Sequence, residues 1–80
     1  RRNTLPIGFE VGSNYVLEVI SYEKIDNKLM FVIKDSKMPE EEVIRSIYMM
    51  MVTYRFLDIY EVSLKIGKRD YNSKDYFVLK

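Results

Sequence analysis

Cysteine, histidine and tryptophan are all missing from this chain. Without Cys or His there is no disulfide, no thiolate or imidazole zinc site, no Cys or His nucleophile and no imidazole general base. Most familiar catalytic designs are thereby excluded. The lack of Cys also fits a reducing compartment, cytosolic or nuclear. Gly and Pro are scarce, and no Gly-rich phosphate loop is present. No apolar run approaches the ~18 residues that a membrane span needs, and no signal peptide is recognisable, so an intracellular protein with no membrane partner is expected. A net charge of +1 gives no global field to hold nucleic acid by counterion release, and no direct nucleic-acid partner is expected.

What is present is globular. Hydrophobic residues make up 48% of the chain and charged residues 31%, far from the low-hydrophobicity, high-charge signature of disorder. Eighty residues make one domain, near the lower end of what folds alone, because such a chain buries only roughly 60% of the surface its unfolded form exposes. A partner surface would help it. Small basic spots occur at Arg1-Arg2 and at Lys65, Lys68 and Arg69; short clusters of this kind are usually solvated ends.

The opening RRNTLPIGFEVGS has no period and reads as a linker that enters the domain near Leu5. This gives a linker end over residues 1–4, a domain over 5–67 and a C-terminal tail over 68–80. YVLEVISY (15–22) and KLMFVIK (28–34) are rich in β-branched and aromatic residues, and Asp26-Asn27 between them tolerates the left-handed backbone of a tight turn. They form a β-hairpin. Pro39 followed by Glu40, Glu41 and Glu42 suits a helix start. Pattern alone then gives one long helix from Pro39 to Ile66. The alternative is a short strand over EVIRS (42–46), a short helix from Ile47 and a longer one from Tyr54, since Ser46 and Thr53 are both good N-caps. Gly67 stands in a helix-stop position. The closing run Tyr76 to Leu79 is either an extra strand or an unstructured end.

On a helical wheel, Phe56, Leu57, Tyr60 and Leu64 fall in one stripe and Ile59, Val62 and Ile66 in another, with Asp58, Glu61 and Lys65 between them. One stripe packs a helix on a small sheet. The other needs the Met49-Met50-Met51 segment, the tail or a partner, because full exposure would leave an apolar patch that soluble monomers rarely tolerate.

Four segments in order carry a family resemblance: GFEVG (8–12), LMFVIK (29–34), EEEVI (40–44) and FLDIYEVSL (56–64). They resemble the GFERG, LMFLMKWK, EADLV and VISFYEERLTW motifs of the chromoshadow domain of the heterochromatin protein 1 family, over roughly residues 5 to 66, as a divergent member. The resemblance implies an α+β fold, a small three-stranded antiparallel sheet packed against two C-terminal helices, and so favours the two-helix parse. It implies a nuclear homodimer with its interface at Leu57, Tyr60, Glu61 and Leu64, acting as a heterochromatin adaptor in gene silencing. The family docks Pro-x-Val-x-Leu peptides with a Trp just after the final helix. That position is Ile66 here, so peptides of chromatin proteins outside that class are expected, held by Leu64, Ile66 and the tail aromatics Tyr71, Tyr76 and Phe77.

Three other functions compete with this one. YVLEVI also looks like a chromodomain first strand, and Tyr15 then supplies one wall of a methyl-lysine cage. Aromatics beside basic ends suit a single-stranded nucleic-acid binder, but no interleaved strand face is visible. Catalysis is not expected: three adjacent carboxylates at Glu40 to Glu42 do not aim at one point in a helix or a strand, and no cofactor or metal is called for.

Overall fold

The computed structural model of the chain describes residues 8–10 and 15–77. The linker end at residues 1–4, the Arg1-Arg2 pair, and Val78 and Leu79 of the closing apolar run lie outside them.

The hairpin forms between β2 (Val16–Ile25) and β3 (Lys28–Ile33), with Ile25 opposite Lys28, so that Asp26 and Asn27 alone make the loop. Asp26 adopts φ 53°, the left-handed conformation that Asp tolerates better than most residues. The first strand runs three residues beyond the expected Tyr22. Between Val19 and Ser21 the register slips by one residue, leaving Ile20 as a bulge. A short strand, β1 (Gly8–Glu10), pairs antiparallel with the first three residues of β2.

After β3 the chain enters α1 (Glu40–Thr53). Pro39 takes the N-cap position with extended backbone, and Glu40, Glu41 and Glu42 occupy the positive end of the helix dipole. The expected alternative, a strand over residues 42–46, is overturned. Val43, Ile47, Met50, Met51 and Tyr54 recur at helical spacing and are all buried, which a strand could not achieve. Nor does Ser46 cap a helix; its hydroxyl donates back to the Glu42 carbonyl at 2.8 Å inside α1.

The second helix expected over Tyr54 to Ile66 does not form. Tyr54 donates its backbone N–H to Met50 O at 2.9 Å, one 3-10 turn succeeds it (Arg55–Leu57), and Asp58 then turns left-handed at φ 60°. The reversal is anchored by the hairpin loop: the Asn27 side-chain amide donates to Asp58 O at 2.9 Å, and Asn27 O accepts from Tyr60 N at 2.8 Å. The chain then continues as a strand, β4 (Glu61–Ile66), parallel to β3 in register from Lys28↔Glu61 to Ile33↔Ile66.

Gly67 and Lys68 make a two-residue loop into β5 (Arg69–Asn72), antiparallel to β4. Gly67 is required here, with φ 61° and the Asp35 side chain within 2.5 Å of where a Cβ would stand. A second 3-10 turn (Ser73–Asp75) comes next, and the buried Ser73 hydroxyl accepts from Val62 N at 3.0 Å. Residues 69–77 of the expected tail are thus built into the domain.

The sheet order is β1-β2-β3-β4-β5. Strands β2 to β5 form a four-stranded mixed sheet, with α1 as the single crossover between parallel β3 and β4. The fold is α+β, but the expected three-stranded antiparallel sheet with two C-terminal helices is corrected. A parallel pair needs a crossover of a dozen or more residues, which residues 34–60 supply. The core lies between the inner side of α1 and one sheet face, where Leu29, Phe31, Ile33, Val62, Leu64 and Ile66 are buried.

Candidate interaction surface

Helix α1 has only one side on the sheet, yet Ile47 to Val52 (IYMMMV) is apolar all round. At 100° per residue, Tyr48, Met49 and Val52 point opposite the buried stripe, and Phe56 in the turn after the helix extends them. Their relative exposures are 53, 44, 56 and 77%. A helix that is hydrophobic on every side is ordinarily covered on every side. On the order of 500 Å² of side-chain surface is at stake, in the range of the largest patch on a typical monomer. One flank is partly built by the chain itself: the Phe77 ring lies 5.5 Å from Tyr48 and 6.4 Å from Tyr76. The Tyr76 hydroxyl sits 3.5 Å from Glu40 Oε2. Burial first, then the Glu40 charge, push its pKa above the ordinary tyrosine value.

The residues expected at the dimer seam do not share a face. Leu57 and Tyr60 are exposed, near the junction of the 3-10 turn with β4, where the Arg55 guanidinium lies 5.2 Å from the Tyr60 ring centroid. Leu64 is wholly buried, opposite Phe31 and Tyr71 on the covered sheet face. Ile66, expected in place of a peptide-gripping Trp, is also wholly buried. Alternation along β4 sends Val62, Leu64 and Ile66 under the helix and Glu61, Ser63 and Lys65 to the other face. A strand separates residues that a helix would have grouped.

Glu61 stands on that open face and is engaged within its own chain. Its Oε2 accepts from the Asn72 side-chain amide at 2.9 Å and lies 3.5 Å from Lys28, while Oε1 lies 3.4 Å from Lys74. The Asn72 hydrogen bond, more than the two lysines, holds its carboxyl below the usual glutamate value, against a partly opposing desolvation.

Two residues of the basic spot, Arg69 and Lys65, are likewise engaged within the chain. Arg69 donates to Met38 O at 2.9 Å, to Ser36 O at 3.1 Å and to the Tyr71 hydroxyl at 3.0 Å, pinning the β3–α1 loop to β5. Lys65 pairs with Asp70 at 3.4 Å. Tyr71 is therefore part of a loop clamp, and Tyr15, the cage wall of a methyl-lysine reader, is half-buried against the core. Among the described residues no group of three or more His, Cys, Asp or Glu is arranged to hold a metal ion. The three glutamates diverge as expected of consecutive helix residues: Glu40 approaches Tyr76, Glu41 faces solvent, and Glu42 is half-buried with Arg45 Nε 3.9 Å from its Oε1.

Sequence reasoning misses the outer face of α1. The signal is present in the six-residue apolar run, but on the helical-wheel reading the Met residues serve as cover for a helix that does not form. No protein-family model, no curated protein and no solved structure matches this chain.

Proposed function

We propose that this domain is a non-catalytic protein-interaction module whose docking surface is the outer face of α1, centred on Tyr48, Met49 and Val52 and continued by Phe56. The observation that carries this reading is a helix apolar on both sides, of which the described residues bury only one. The inner stripe, Val43, Ile47, Met50 and Met51, packs on the sheet and is buried. Apart from the Tyr48–Phe77 contact the outer residues stay largely in water in a lone copy, and they favour association by roughly 25 cal/mol for each Å² removed.

The chromatin adaptor role implied by the chromoshadow resemblance rests on the sequence motifs alone. The segment that would supply that family's final helix is here a 3-10 turn and β4.

The test is a Tyr48→Glu/Val52→Glu double variant of the full chain, compared with wild type for association state by sedimentation and for protein capture in a pull-down. Both changes fall on exposed positions, so the circular dichroism spectrum should be retained while association is lost. Association and capture identical to wild type refute the proposal.

A further inference from the structure

The outer face of α1 has a polarity along its length that selects its occupant. Glu41 lies seven residues before Tyr48, about two helical turns or ~10 Å along α1, and Arg55 seven residues after it, in the 3-10 turn that follows the helix. Both are exposed. One end of the patch is acidic, with Glu40 and Glu41 in the first turn at the positive end of the helix dipole. The other end carries Arg55, held over the Tyr60 ring. Arg45, also on this side, is met within its own helix by Glu42 at 3.9 Å. Glu41 at one end and Arg55 at the other match the same surface turned end for end, with Arg45 lying between Glu41 and the apolar centre.

We infer that the occupant is a second copy of this chain, its α1 packed antiparallel against the first across a two-fold axis near Tyr48 and Met49; this rests on the docking surface proposed above. A two-fold interface places the same patch on both copies, so each Glu41 meets the Arg55 of the partner copy, and the helix dipoles oppose. A parallel arrangement sets Glu41 beside Glu41 and Arg55 beside Arg55. Tyr48 and Val52 lie on an i, i+4 ridge of the kind that interdigitates between helices 8–10 Å apart, with Met49 filling the adjacent groove and Phe56 extending the patch from the turn after the helix.

The experiment is sedimentation equilibrium on the full chain across a concentration series, with wild type, Val52→Glu, Glu41→Arg, Arg55→Glu and the Glu41→Arg/Arg55→Glu double variant. Wild type should dimerise, and Val52→Glu should be monomeric with an unchanged circular dichroism spectrum; Val52→Ser serves as a milder second variant. Each charge reversal alone turns two attractions into two repulsions and should weaken the dimer roughly 5- to 50-fold at low salt. The double variant should return to within about threefold of wild type.

A dimer lost in Val52→Glu but indifferent to the charge exchange overturns the antiparallel arrangement and leaves the docking surface standing. A wild-type monomer at about 200 µM, a concentration on the order of those at which weak specific contacts register, overturns self-pairing, and the pull-down alone then judges the surface. A dimer indifferent to both Val52 variants overturns the inference and the surface together.

Discussion

Leu64→Ala separates the strand from the helix that pattern alone suggested. In the structure Leu64 is fully buried in the middle of β4, between Phe31 and Tyr71 on neighbouring strands and beneath α1. Truncating such a leucine costs about 2–5 kcal/mol, the lost transfer energy plus the cavity that remains. A chain of this length has roughly 4–12 kcal/mol of stability in total. For domains of this size each kcal/mol moves the melting temperature by about 4–8 °C, so a fall on the order of 10–30 °C is expected. Thermal unfolding followed by circular dichroism reads it directly, and the loss should persist undiminished when the protein is diluted tenfold. Association effects behave oppositely, because mass action makes their contribution depend on concentration. Val52→Ala, at a position more than half exposed, should change the dilute-protein melting temperature very little. A Leu64→Ala protein that melts within about 3 °C of wild type yet associates more weakly would place Leu64 on an interface and refute the β3–β4 register.

Other expectations rest on single contacts. Gly67→Ala should destabilise the domain by about 1–3 kcal/mol in urea titrations, because a Cβ meets Asp35 Oδ1 at 2.5 Å and φ is 61°; adding Asp35→Ala should recover the steric part only. Arg69→Met should release the β3–α1 loop, seen as faster amide exchange over residues 35–38, and Arg69→Lys should fail to restore it because a single ammonium cannot reach two carbonyls and a phenol in the guanidinium's geometry. For Glu61 the folded pKa is lowered from its ordinary value of 4.5, so its stabilisation is present above that value and is lost as pH falls through the folded value. Urea midpoints between pH 7 and pH 3 should therefore fall less steeply in Glu61→Gln than in wild type, and equal slopes would contradict the Asn72 and lysine contacts.

Some of this fold is decided within short stretches of chain. Asp26-Asn27 between two β-rich runs makes a hairpin loop wherever it stands, because the preference for left-handed backbone belongs to the residue. Pro39, three glutamates and the spacing of Val43, Ile47, Met50 and Met51 start and sustain α1 in the same local way. Gly67 marks a chain reversal for the same reason, although the reversal is a hairpin loop and not a helix stop. The absence of Cys and His likewise removes chemistries whatever the fold.

Residues 54–66 are different. Ile59, Val62 and Ile66 fit a helical stripe, while Glu61 to Ile66 also alternates strictly, polar and apolar, over six residues. Both periods are present, and the choice between them is made elsewhere: β3 offers a ladder of unpaired backbone groups about thirty residues earlier, and Asn27 binds the turn that delivers β4 to it. The resemblance to a family with a helix in this place pointed the other way. The sequence by itself determined the hairpin, a helix start at Pro39 and an excess of apolar surface, and left open whether that helix ran on to Ile66 or gave way to a strand over residues 42–46. Only the tertiary structure decided which surface is in excess, because Leu64 and Ile66 are buried under the inner side of α1 while, among the described residues, Tyr48, Met49 and Val52 on its outer side remain about half exposed.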